Sequence, residues 1–380
     1  MKKILVFCDV HLGIRTHSVQ QSSGLYDAEI QARIALDEIY YRAAQDDIFA
    51  IIFAGDMFHT SHPTSENIKF LISWLEKINK LNKLFIIIPG NHDASLHSHS
   101  MVFIHELNLS NIFVVDDSNY KSFNTCIKFD EWDIKFAPYI VSESSKDREV
   151  STYELVEECV NNTSRKTIVV THIHEAAAKI GSEGIMLARK VPLVNFDNYT
   201  PKHDIIVLTG HIHKHQTYHK NNGISIVYPG SLYYHDMHDV NQEKGYILID
   251  ELGNVEFESI RNIRKFVSYK APENGHVINF LRAFRLGENK YVFINVTNDE
   301  KLDEAPIREF LKSVNCKLGG ILYTTPEMIF NTEINIDYAE TDPYIAFNNY
   351  LDEVAKIENM KYLDDMKKCN EQCLDEARGE

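Results

Sequence analysis

The stretch Ile48-Phe-Ala-Ile-Ile-Phe-Ala-Gly-Asp-Met-Phe-His59 limits the possible folds more than any other part of this chain. Its apolar run, Ile48 to Ala54, shows no alternation, which is the pattern of a strand covered on both faces in an α/β sheet. The run stops at Gly55 and meets Asp56 directly. In open α/β sheets, binding groups gather just beyond the carboxyl ends of the strands, so Asp56 is placed where a ligand would sit. A single carboxylate there means little, but other strand-like runs end in the same way, each in a metal-binding residue type.

In chain order, Lys3-Ile-Leu-Val-Phe-Cys8 reads as a first strand that ends in Asp9-Val-His11. Alternate residues at a strand end point the same way, so Asp9 and His11 can grip one ion. A helix from about Asp27 to Ala44 leads to the strand that carries Asp56. Thr64 or Ser65 caps the next helix, whose Ile68, Leu71, Ile72, Leu75 and Ile78 fall at helical spacing. That helix feeds Leu84-Phe-Ile-Ile-Ile-Pro89 and then Gly90-Asn91-His92-Asp93. Strand-like pieces near 112–115 and 133–137 and a helix near 151–162 follow. Thr167-Ile-Val-Val-Thr171 runs into His172-Ile-His174-Glu175, and Ile205-Ile-Val-Leu-Thr209 into Gly210-His211-Ile-His213. Ile224 to Tyr228, followed by Pro229-Gly230-Ser231, and Gly245 to Asp250 close the series. The expected fold is α/β, with strand after strand delivering ligands to one edge.

A second unit begins near Ser268. Tyr291-Val-Phe-Ile-Asn-Val reads as a strand, Ala305 to Val314 as a helix and Gly320-Ile-Leu-Tyr as another strand. Tyr344 to Ala377 reads as one or two amphipathic helices, with Phe347, Leu351, Val354, Ile357 and Leu363 among many charged residues. A length of 380 residues is in keeping with two domains and an appendage. No apolar run approaches the length of a membrane span, and no membrane association is expected. The six cysteines have no framework or zinc spacing, so reduced thiols in a bacterial cytoplasm, or a phage-encoded protein in its host's cytoplasm, are expected. A net charge of −16 argues against a protein that coats DNA with its own cations. It does not exclude a nuclease, because bound divalent ions would supply positive charge where it matters.

The collected set is Asp9, His11, Asp56, Asn91, His92, His172, His211 and His213. Mixed carboxylate, imidazole and amide donors suit Mn, Fe or Zn better than an all-oxygen calcium site. Two ions about 3.5–4 Å apart, sharing one carboxylate, can clamp the attacking and leaving oxygens of a phosphoryl displacement. Asp56, alone after its central strand, is the natural bridge. Asn91 and His92 are neighbours, so Asn91 is assigned as a ligand and His92 as the group that faces the substrate. Asp93 is expected to orient His92 and keep it protonated as a general acid, with His59 close enough to help. Arg15, His17, His174 and Lys214 are candidate substrate contacts. His97, His99 and His105 are read as members of a solvated loop and helix.

Asp9-x-His11, Gly55-Asp56, Gly90-Asn91-His92-Asp93, His172 and Gly210-His211-x-His213 together resemble the ordered signatures of the calcineurin-like metallophosphoesterase superfamily, over about residues 1–260. Within it, Asp9-Val-His-Leu-Gly13, Gly55-Asp-Met-Phe-His59 and Tyr228-Pro-Gly-Ser231 look most like the SbcD-type nuclease subunits of double-strand-break repair and their phage relatives. The resemblance implies a two-sheet sandwich flanked by helices, with a small α+β capping domain and C-terminal helices. The boundaries it suggests are 1–265 for the nuclease domain, 268–335 for the cap and 342–380 for a helical segment that docks on an SMC-like SbcC-type ATPase. It also implies a Mn-dependent 3′→5′ exonuclease and single-strand endonuclease acting on DNA in repair, recombination or replication. The cofactor implied is two Mn2+, with Mg2+ as the alternative, and a homodimer is allowed for. In the family pattern one ion takes the residues matching Asp9, His11, Asp56 and His213, and the other those matching Asp56, Asn91, His172 and His211. The residues matching His92 and His59 are catalytic. A stand-alone phosphomonoesterase or cyclic-nucleotide phosphodiesterase, built on the same metals, is the alternative function.

Overall fold

The computed structural model describes residues 1–15, 18, 20–21, 24–95, 98–140, 151–179, 191, 193–271, 277–283, 286, 289–296 and 302–323. The expected 342–380 helices, residues 324–335 of the expected cap, His17 and His97 lie outside the described residues.

Two six-stranded sheets form the body of the molecule. In the first, the spatial order is Val255–Ser259, Gly245–Asp250, Lys3–Phe7, Ile48–Ala54, Leu84–Ile88 and Ile112–Val114. The four strands from Lys3–Phe7 onward run parallel, and the other two are antiparallel. The second sheet runs Gln216–His219, Ile224–Tyr228, Ile205–Gly210, Lys166–His172, Trp132–Ala137 and Lys128–Phe129. Its inner four strands are parallel and its two edges antiparallel.

Period-2 alternation explains why the central strands are apolar throughout. Ala50, Ile52 and Ala54 point into one core with Ile4 and Val6, where they meet Ile168, Val170, Ile206 and Leu208 of the second sheet. Ile51 and Phe53 point the other way with Leu5 and Phe7, onto Leu36 and Ile39 of the helix Asp27–Ala43 and Leu71, Trp74 and Leu75 of the helix Ser65–Asn79. Both faces of the first sheet are therefore covered, one by the second sheet and one by helices. The Thr64 side chain accepts from the Asn67 N–H and starts the second of these helices where the sequence places its cap. Ser151 and Glu154 form a reciprocal capping box for the helix Thr152–Asn161.

A third, all-parallel sheet joins Lys265–Lys270, Lys290–Val296 and Lys317–Tyr323, with the helices Val277–Ala283 and Glu304–Ser313 around its own small core. Its Phe266, Tyr291 and Phe293 face the helix-covered core of the first sheet, and the Tyr291 hydroxyl donates to Asp27 at 2.5 Å. Among the described residues, no helix is long and apolar enough to cross a membrane.

Candidate metal centre

The parallel strands of both sheets finish at one edge, and the residues just past their ends meet there. Asp9 follows Lys3–Phe7, Asp56 follows Ile48–Ala54, Asn91 follows Leu84–Ile88, His172 ends its own strand and His211 follows Ile205–Gly210. Hydrogen bonds tie these ends together, one within the first sheet and one from backbone to carboxylate across the sandwich. The His11 N–H donates to the Asp56 carbonyl at 3.0 Å, and the His211 N–H reaches both oxygens of the Asp9 carboxylate at 3.1 and 3.2 Å.

The turns that aim these side chains are held in unusual backbone conformations. Asp9, His11, Asp56 and His211 all have positive φ, at 52°, 47°, 62° and 92°. Elsewhere among the described residues, every non-glycine with positive φ is an Asn or Asp, types that tolerate that region. Imidazoles held there represent strain of order 1–3 kcal/mol each, retained where surrounding structure fixes it. Gly90 is required by close approach, because a Cβ on it would lie 2.3 Å from Asp56 Oδ1.

The central relationship is a convergence of lone pairs. His172 Nδ1 donates to the Ala54 carbonyl at 2.9 Å, which leaves Nε2 as the nitrogen facing the site. That nitrogen lies 3.3 Å from Asp56 Oδ2 and 3.0 Å from Asn91 Oδ1. His211 Nδ1 is 3.2 Å from the same Asn91 oxygen. On the other side of Asp56, His11 Nε2 is 3.5 Å from Oδ2 and 3.1 Å from His213 Nε2. Asp9, His11 and Asp56 each offer a donor atom within 4.8 Å of one another. Lone pairs gathered so closely repel one another unless protons or cations stand between them. In the protein alone a proton on His172 meets part of that need. Burial pushes this imidazole down, but the Asp56 carboxylate outweighs burial and brings it up to about 9. Burial likewise pushes Asp56 up, while His172 and His92 hold it well below the usual carboxylate range. Burial and neighbouring imidazoles drive His11 and His211 well below the usual histidine range, so both are neutral donors. His11 Nδ1 and His211 Nε2 are buried without hydrogen-bond partners among the described residues. This donor set fits divalent cations, and the bond from His172 to a backbone carbonyl is the support that orients metal-binding imidazoles.

His92 and His59 stand on the open side of this cluster. Their rings stack at 5.4 Å, and His92 lies 4.7 Å from the ring of His11. His92 Nδ1 donates to the His59 carbonyl at 2.8 Å, so its Nε2 is left to exchange a proton. The expectation that Asp93 orients His92 is corrected here. The Asp93 carboxylate is buried and accepts from the backbone N–H groups of Met57, Phe58 and Gly90 and from Ser100 Oγ. Burial, and then the Asp56 charge, push Asp93 up to about 6 against those donors. Its place is beneath the Asp56 and His92 loops, while the His59 carbonyl holds the imidazole.

His235 is a member of the site that sequence reasoning misses. It is buried, its Nδ1 lies 3.1 Å from His213 Nδ1, and it joins His11 and His213 in a second close group. Lys244 and Asp239, both wholly buried and 2.8 Å apart, hold this arrangement. Lys244 Nζ donates to the His213 carbonyl at 3.0 Å, and Asp239 accepts from the His235 N–H at 2.8 Å. The sequence signal is weak because His235 follows the strand Ile224–Tyr228 only after an irregular turn. Of the candidate substrate contacts, His174 is near the centre, its ring 6.0 Å from that of His211. Lys214 is half-buried beside His213. Arg15 is exposed and lies over the Tyr26 ring at 4.8 Å.

Two face-packed α/β sheets, with carboxylates, an amide and imidazoles at their shared edge, define a metal-dependent hydrolase of phosphate esters. The chain belongs to the calcineurin-like phosphoesterase family, whose sequence signature matches residues 2–215. Among relatives, it is 27% identical over 237 residues to the SbcD component of the SbcCD nuclease of Staphylococcus epidermidis, across 57% of this chain and 60% of that protein. It is 32% identical over 95 residues to the DNA double-strand break repair protein Mre11 of Saccharolobus solfataricus, across 25% of this chain and 23% of that protein. The chain thus spans less than two thirds of the length of either relative. A solved dimetal phosphatase from Danio rerio superposes with a TM-score of 0.44 at 7% identity, covering 68% of this chain and 96% of that one.

Proposed function

We propose that this protein is a DNA nuclease, cleaving phosphodiesters as a 3′→5′ exonuclease and single-strand endonuclease with two Mn2+ ions. The observation that carries this reading is the convergence of His172 Nε2, Asn91 Oδ1 and Asp56 Oδ2, with His92 poised beside them. The names of the two relatives, a nuclease component and a break-repair protein, support DNA as the substrate. One cation would sit among Asp9, His11, Asp56 and His213 and the other among Asp56, Asn91, His172 and His211; bound there, they would polarise the phosphate and activate water. Asn91 and the imidazoles would hold the pair, with Asp56 available to both. His92, held through Nδ1, gives a proton from Nε2 to the leaving oxygen, and His59 steadies it by stacking and through its carbonyl.

Residues 1–265 are assigned as the nuclease domain, 268–335 as the cap and 342–380 as the segment that docks on an SMC-like ATPase. The phosphomonoesterase alternative uses the same metals, so substrate decides between them. The test supplies purified protein and Mn2+ with labelled linear DNA, bis-p-nitrophenyl phosphate and p-nitrophenyl phosphate. Degradation of DNA and turnover of the diester are expected. Strong monoester turnover without DNA cleavage contradicts the nuclease reading.

A further inference from the structure

A second convergence of metal-binding groups lies on the far side of the Asn91-His92-Asp93 loop. His99, paired back to Ala94, and His105, in the short helix Val102–Glu106, both turn their rings toward Asp116, just past the strand Ile112–Val114. His99 Nε2 and His105 Nε2 lie 3.2 and 3.0 Å from the same oxygen, Asp116 Oδ2. The other oxygen, Oδ1, is occupied by the Ser118 N–H at 2.9 Å and the Ser118 hydroxyl at 2.5 Å, and the Asp116 N–H is fixed by Asn119 Oδ1. The carboxylate is thereby oriented from behind, with one oxygen presented to two imidazoles through the same ring nitrogen.

We propose that His99, His105 and Asp116 form a zinc site separate from the catalytic pair. Two imidazoles and a carboxylate with one open position are a donor set that Zn2+ accepts in tetrahedral geometry. Metal–ligand bonds of about 2.0–2.1 Å place tetrahedral ligand atoms about 3.3 Å apart, close to the two nitrogen–oxygen separations observed. The three donor atoms all lie within 4.8 Å of one another. Exposure gives the ion a way in: the His105 side chain is 35% exposed, against 8% for His99 and 9% for Asp116. The His105 side is therefore the solvent-facing side of the cluster.

The role of the ion follows from what surrounds it. Ser100, next to His99, donates from its N–H to the Asp93 carbonyl at 2.8 Å and from its hydroxyl to the Asp93 carboxylate at 3.3 Å. Asp93 in turn holds the N–H groups of Met57, Phe58 and Gly90. Zinc on His99 would pin the segment that underlies both catalytic loops to the end of the strand Ile112–Val114, as a structural clasp without a catalytic step.

The test uses the full chain carrying Asp56→Asn, which disables the paired site, and the same chain with His105→Ala added. Each is stripped with chelator, equilibrated with Zn2+, dialysed and assayed for metal by mass spectrometry, and Co2+ replaces Zn2+ for visible absorption. The single variant is expected to retain one more zinc per chain than the double variant, to show tetrahedral Co2+ bands the double variant lacks, and to bind Zn2+ at least about tenfold more tightly. Should His105→Ala fail to fold, His105→Gln carries the same comparison, because it keeps a hydrogen bond to Asp116 but replaces the imidazole ligand. Equal zinc content and equal Co2+ spectra in the paired variants overturn the proposal and leave the cluster as hydrogen bonds only.

Discussion

His172 Nε2 lies 3.3 Å from Asp56 Oδ2, and its other nitrogen is fixed on the Ala54 carbonyl. Nε2 is therefore the nitrogen turned to the site, where a proton bonds it to Asp56 and a metal would compete for the same lone pair. With the imidazole carried from its ordinary 6.5 up to about 9 by Asp56, after burial has pulled the other way, the proton holds at neutral pH in the metal-free protein. Because the folded value is raised, this pair's stabilising contribution is whole below about 6.5 and lost as pH rises through about 9. Metal must displace that proton. Calorimetry at pH 7.5 in buffers of different ionisation enthalpy should therefore find about one proton released on loading the site, and affinity rising with pH. Buffer-independent heats contradict this.

His92→Ala should retain metal and lose roughly 10²–10⁴-fold in rate, the range for removal of a general acid. Metal content measured alongside the rate checks the assignment. A parallel loss of metal would make His92 a ligand instead.

Asp93→Ala should act mainly on stability. It strands the buried N–H groups of Met57, Phe58 and Gly90, at a cost on the order of 1–3 kcal/mol for a buried donor left without a partner. Urea unfolding reads the loss. Unchanged stability with an altered pH–rate profile would restore Asp93 to the proton-transfer step.

Lys244→Met should cost about 3–5 kcal/mol, because it removes the buried ammonium from the buried Asp239 carboxylate. The double change Lys244→Met with Asp239→Leu should recover much of the loss while still weakening metal binding through His213. Additive destabilisation in the double variant contradicts a coupled pair.

The site is legible in the sequence wherever a candidate ligand stands at or close past the end of a buried strand. Asp9, Asp56 and His211 stand just past such strands, His172 ends one and Asn91 lies three residues beyond another, and an apolar run broken by a polar residue is visible without coordinates. The supporting groups are harder to see. His235 reaches His213 from an irregular turn, and no periodicity marks its direction. Adjacency suggests Asp93 as a partner for His92, but backbone N–H groups from two loops draw its carboxylate inward. His99 looks like a solvated loop residue, yet it is buried against Asp116, a pairing that depends on where the strand Ile112–Val114 ends. The first core is similarly readable from the run Ile48 to Ala54, whereas the packing of Phe266 and Phe293 on the helix-covered core depends on long-range placement.

A crystal soaked in Mn2+ and measured at an energy where manganese scatters anomalously tests the central claim most directly. Two anomalous peaks about 3.5–4 Å apart, with Asp56 between them and His172 and His11 on opposite sides, are predicted. A single peak, or two peaks with no shared Asp56 oxygen, would contradict it.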